Sequence, residues 1–158
     1  MKLSFVILFC LSITSISCSQ TGSVKPKPDV FVGSTPCDSF IKKVLQIPSN
    51  EICDFIKWQL EPDKSADSFH LSILHGEAQP NTNGFKGGGK RIITTGVFRL
   101  TQDTHHDTGF PVYQLVTNNF TSSLYLMQMD TAIFHLADNN KKLLVGNGGW
   151  GYVLNKEN

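Results

Sequence analysis

Cys37 and Cys53 are the residues best equipped for chemistry, because a cysteine pair can form a disulfide, exchange electrons or hold a soft metal. Fifteen residues lie between them. A thiol redox motif usually separates its cysteines by two residues, and that spacing does not occur here. In a secreted domain an even pair at this spacing points first to a disulfide, with a redox or metal-binding pair as the alternatives. Closing a loop of this length would restrict the unfolded chain by about 3 kcal/mol in the entropic treatment.

Further metal donors are scattered. Of the five histidines, His70, His75, His105, His106 and His135, only His105-His106 are adjacent, with Asp107 next to them in a loop. Imidazole and carboxylate together suit a borderline-soft transition metal, although neighbouring side chains rarely meet one ion with good geometry. Met127 and Met129 lie two apart on an expected strand, which would place both thioethers on one face for Cu(I); such a face is more often core. The candidate metal ligands are thus Cys37, Cys53, His105, His106, Met127 and Met129.

Catalytic signatures are missing. There is no G-x-S-x-G elbow, no cysteine–histidine signature, no H-E-x-x-H and no paired carboxylates at strand ends. Gly87-Gly88-Gly89-Lys90 is followed by Arg91 and a β-branched run, so it lacks the pattern and the strand–helix setting of a phosphate loop. The chain reads as a non-enzyme.

The positioning elements are short and apolar-polar alternating. Asp29–Gly33 reads as a first strand ended by Ser34-Thr35-Pro36. Asp38 or Ser39 can cap a short helix with Phe40, Val44 and Leu45 on one side, stopped by Pro48. Ile56, Trp58 and Leu60 alternate through a strand at 54–60, and Phe69, Leu71 and Ile73 do so after the turn at 61–67. Glu77–Lys90 reads as a mobile hairpin loop, and 91–100 as a strand with a bulge or bend at Gly96. Later strands are expected at Val112–Val116, Ser123–Met129, Ile133–Ala137, Leu143–Val145 and Trp150–Leu154. Eight or nine short strands with turns every 8–12 residues predict an all-β, small antiparallel barrel or sandwich with one short helix between the cysteines.

Composition and the N-terminus set the compartment. The 158 residues, 40% hydrophobic and 17% charged, suffice for one modest core. Discounting Lys2, 13 basic residues face 13 acidic ones, and no Lys/Arg cluster follows a phosphate backbone, so nucleic acid is excluded as a partner. Met1-Lys2 and the apolar Leu3–Ile13 form a leader, too short for a membrane span. Small residues then approach Cys18, similar to a bacterial lipoprotein box, although Ser15 stands where an aliphatic residue is usual. The expected organisation is a signal peptide at 1–17, a lipidated Cys18, a flexible Ser/Gly/Lys/Pro tether over 18–28 and a domain over 29–158. Ser19 after the cysteine permits sorting to the outer membrane, so the expected partner is that membrane, reached through the lipid anchor.

Phe31-x-Gly33-x-x-Pro36-Cys37 resembles the opening of NlpE-like lipoproteins, the outer-membrane copper-homeostasis and envelope-stress family. Cys53-Asp54-Phe55-Ile56-Lys57-Trp58, Thr95–Leu100 and Tyr125–Asp130 through Lys141 are similar to later strands of that family. The resemblance implies a lipocalin-like barrel on a lipid anchor, an envelope protein as partner and copper as the metal. It departs from the family in its cysteines, which lie two residues apart there and are split by a helical insertion here. That departure favours a structural bridge. The alternative function is a calycin-type barrel module that holds a small apolar ligand.

Overall fold

The computed structural model describes residues 27–101 and 109–157. The leader, Cys18, His105 and His106 lie outside the described residues. Eight strands close into an up-and-down barrel: β1 (Phe31–Pro36), β2 (Phe55–Asp63), β3 (Ser68–Gly76), β4 (Lys90–Leu100), β5 (Val112–Val116), β6 (Leu124–Gln128), β7 (Ile133–Ala137) and β8 (Val153–Lys156). Every neighbour is antiparallel, and β1 pairs with β8 through Phe31↔Lys156 and Val32↔Asn155 to complete the ring. Closure leaves no long sheet edge unpaired, which is how small barrels avoid edge-to-edge association.

The alternation expected of the strands is the alternation that fills the barrel. Ile56, Trp58 and Leu60 of β2 and Phe69, Leu71 and Ile73 of β3 point inward and are buried. They meet Phe98, Leu115, Leu124, Leu126, Phe134 and Leu136 from the opposite wall in one cluster. The single polar group of Trp58 is satisfied, because its Nε1 donates to the buried Thr35 Oγ1 at 2.8 Å. Gly33 sits where β1 meets β8: a Cβ there would fall 2.3 Å from the Val153 carbonyl oxygen. Gly96 continues the β3–β4 register as the partner of Phe69, with the Phe69 ring in the space a side chain would take. It is a packing glycine within an unbroken register, and the bulge expected there is not formed.

One end of the barrel is plugged. Helix α1 (Ser39–Val44) follows β1, with Asp38 Oδ1 accepting from the Ile41 amide at 2.8 Å as its N-cap. Its buried face is Ile41 and Val44, continued by Leu45 and Ile47, and all four join the barrel core; Phe40 is only partly buried. The helix is tied to the β5–β6 connection, where Thr121 donates through its amide to the Val44 carbonyl and through Oγ1 to the Lys43 carbonyl. The other end, where β2 turns into β3 and β6 into β7, is the mouth.

Four expectations change. β1 runs through Ser34-Thr35-Pro36 to the end of its ladder, where Pro36 opposes Phe55 and its missing amide breaks nothing further. Leu143–Val145 is no strand: one bridge, Ala137↔Leu143, is formed, and Val145 is exposed. The last strand begins at Val153 because Trp150 leaves the ladder to stack on Phe55, ring centroids 5.0 Å apart. The 77–90 connection is pinned at Phe85, which is buried, bridges to Ala78 and stacks on the other face of Phe55 at 4.2 Å.

Candidate functional site

Three places gather chemically capable side chains. At the plugged end Cys37 and Cys53 form a disulfide, Cα atoms 5.7 Å apart. It joins the end of β1 to the start of β2 across the helical insertion, and the Cys37 amide donates to the Asp54 carbonyl beside it. Lys42, Lys43, Ile47 and Ser49 border a recess of about 440 Å³ against Cys37. With the sulfurs bonded to each other, only the reduced pair would have thiolates to offer a soft metal.

The second place is a buried histidine. The inward alternation of β3 runs Phe69, Leu71, Ile73 and ends on His75, opposite Ile56 on β2 and Lys90 on β4. His75 is 4% exposed, and its Nδ1 is 3.4 Å from Glu51 Oε1 without forming a hydrogen bond. Lys90 Nζ takes the other carboxylate oxygen at 2.7 Å, and Lys42 Nζ donates to the Glu51 carbonyl at 2.6 Å. Burial pushes the His75 pKa down, and Lys90 and Lys42 add to that against the pull of Glu51. The Lys90 hydrogen bond holds the Glu51 carboxyl below its ordinary range. His75 is thus held neutral beside an ionised carboxylate. Continuing the Phe69–Leu71–Ile73 period by one step to position 75 was the sequence signal for this residue.

The third place is the mouth. A cleft of about 1280 Å³ is floored by Phe31, Pro62 and Phe69 and edged by Lys27, Glu61, Asp63, Lys64, His70 and Gln128. Lys64, at the tip of the β2–β3 hairpin, reaches across the opening: its Nζ donates to Gln128 Oε1 at 3.0 Å and stands 5.0 Å above the Tyr113 ring and 6.0 Å from that of Phe134. Tyr113 and Phe134 belong to an aromatic cluster with Phe98 and Phe31 that fills the barrel beneath. Space for a ligand therefore lies at the mouth, above a packed axis.

Of the other expected metal donors, Met127 and Met129 are not brought together with these. Met127 is buried on β6 opposite Val112 and His135, while Met129 lies past the strand end, its amide donating to Ile133. Among the described residues no group of three or more His, Cys, Asp or Glu side chains is arranged to hold a metal ion. The copper implied by the NlpE-like resemblance thus finds no ready donor set among them. No family model, curated protein or solved structure matches the chain.

Proposed function

We propose that the chain is a non-enzymatic, lipid-anchored protein of the cell envelope, attached to the outer membrane through Cys18 and serving an NlpE-like role in copper homeostasis or envelope-stress sensing. The observation that supports it most is where the tether meets the barrel. Lys27, Pro28 and Asp29 line the mouth cleft, and β1 starts at Phe31, one residue further on. Nine steps of chain separate Cys18 from Lys27, a reach of about 30 Å when fully extended. An anchor at Cys18 would hold the mouth within that distance of the bilayer and leave the plugged, disulfide-bonded end facing away, free for an envelope partner. Intact-mass measurement on membrane-fraction protein tests it. A lipidated species beginning at Cys18, abolished by Cys18→Ala, is expected; an unmodified chain beginning at Gln20 would refute the anchor.

A second reading, a small-ligand binding module, is favoured by the mouth cleft. Its apolar floor and few convergent polar groups are the usual make-up of a ligand site. The ligand would rest on the filled barrel instead of inside it.

A further inference from the structure

Residues 48–52 cross the plugged end as a strap, fixed at both ends and held in the middle by one side chain. Ile47 before it is buried in the core, and Cys53 after it is bonded to Cys37. Between these points Pro48, Ser49, Asn50 and Ile52 are exposed. Among the described residues, the strap's one backbone–backbone hydrogen bond is internal, from the Glu51 amide to the Pro48 carbonyl at 3.0 Å. No strand ladder joins it to the barrel. Glu51 alone reaches inward: its Oε2 takes Lys90 Nζ from β4 at 2.7 Å, and its Oε1 rests 3.4 Å from His75 Nδ1.

Beneath Glu51, the His75 Nδ1 is enclosed and has no hydrogen-bond partner. A neutral ring leaves one polar atom unsatisfied there, whereas a protonated ring would hold a full charge away from water at a far larger cost. The charged groups facing it are Glu51 from the strap, Lys90 from β4 and Lys42 from α1, while β2 presents Ile56. One carboxylate, already shared with Lys90, thus stands against two ammonium groups. The least costly way to hydrate an imidazolium at this place is to lift the segment over it. The ties to be broken are the Glu51–Lys90 ion pair and the hydrogen bonds from Lys42 Nζ to the Ser49 and Glu51 carbonyls. No ladder bond is among them.

We infer that residues 48–52 form a proton-gated strap, closed by Glu51 over a neutral His75 and lifted when His75 takes a proton. The barrel, α1 and the disulfide keep their places, so the device is local. By linkage the open fraction rises with the proton that the open state binds. A histidine at its ordinary 6.5 in the open state gives at most about tenfold between pH 7.5 and 5.5, and less as the closed-state value approaches 6.5. The inference goes beyond the envelope reading and stands on the domain's own residues, with or without an anchor at Cys18.

The test is limited proteolysis of the full chain carrying Cys18→Ala by a glutamyl endopeptidase at pH 7.5 and 5.5, with the fragments weighed after reduction. Cleavage after Glu51 needs its carboxylate free of Lys90 and the strap drawn out into the protease. While opening and closing outpace cleavage, the rate follows the open fraction. Cleavage after Glu77, on the connection past β3, normalises the protease's own pH dependence, and cleavage after Glu61, within β2, reports global unfolding. The ratio of Glu51 to Glu77 cleavage should rise about three- to tenfold on acidification with Glu61 uncut, and should stay constant in His75→Gln. A constant ratio in the parent, an equal rise in His75→Gln, or cleavage after Glu61 keeping pace with Glu51 overturns the inference. A second measurement needs no variant: the rise in the parent should level off at the pH where nitrogen NMR shows His75 fully protonated. A rise that continues more than about one pH unit below that point overturns the inference as well.

Discussion

Tyr152 and Asp38 are 114 residues apart and joined by a hydrogen bond from the Tyr152 hydroxyl to Asp38 Oδ2. The other oxygen of the same carboxylate caps α1 through the Ile41 amide. One side chain thus starts the plug helix and ties it to the approach to β8. Burial, reinforced by the carboxylate, pushes the Tyr152 pKa up, so its hydroxyl remains a donor throughout the neutral range.

Tyr152→Phe should therefore destabilise the domain by about 1.5–3 kcal/mol, the range for a hydrogen bond to a charged group. Asp38→Ala should cost more, because it also removes the cap, a loss of about 1 kcal/mol in typical helices. Urea unfolding reads both, as a lowered midpoint at constant slope. A Tyr152→Phe midpoint equal to the parent's would mean the bond contributes nothing net.

Period-2 alternation made most of the strands legible in the sequence, because a barrel wall with one buried face writes its apolar residues at every second position. The Cys37–Cys53 bridge and the short helix were legible for the same local reasons, spacing and capping. What was not legible depends on pairs remote in sequence. Phe55 stacks between Phe85 and Trp150, and no local pattern tells that two loops converge on one strand-end ring. That convergence is why a glycine-rich loop expected to be mobile is anchored, and why the final strand starts three residues late. The candidate sites are of this kind too: Lys64 reads as an ordinary turn lysine until β6 places Gln128 across the mouth.

Removing the staple should cost more than a surface change. Cys37→Ser/Cys53→Ser frees the loop that carries α1, Glu51 and Lys42, and the entropic treatment puts the loss near 3 kcal/mol. Thiol titration of the denatured, unreduced domain should find neither Cys37 nor Cys53 free. Copper titration of the oxidised parent and of the double variant should then give the same binding, since neither has thiolates at these positions. Binding present in the parent and absent in the variant would show that the pair ligates copper after all.

Phe85 holds the 77–90 connection against the barrel, so Phe85→Ala removes a buried ring from both Phe55 and the loop itself. Buried Phe→Ala changes typically cost about 3–5 kcal/mol, and a loop able to detach should fall at the low end. Hydrogen exchange distinguishes detachment from global loss. The amides of Gln79 and Lys86, bonded to the carbonyls of Gly84 and Glu77, should lose protection while those of β2 and β3 keep theirs. Uniform loss across the barrel would show that Phe85 supports the core and does more than pin the loop.

His75 should make stability depend on pH below neutrality. Its folded-state pKa lies below the ordinary value of 6.5, because desolvation outweighs the attraction of Glu51. A depressed histidine is protonated more readily unfolded than folded, so the unfolded state binds more protons between the two values and stability falls as pH drops through that interval. The contribution is fully present above about pH 6.5 and fades on acidification, at no more than about 1.4 kcal/mol per pH unit for one group. Glu51, also depressed, stays ionised through this window and loses its share only at pH below its ordinary 4.5. Urea midpoints at pH 7.5 and 5.5 should therefore differ in the parent and converge in His75→Gln, which cannot titrate. An equal pH dependence in the two proteins would assign the effect to other groups and leave His75 a silent core residue.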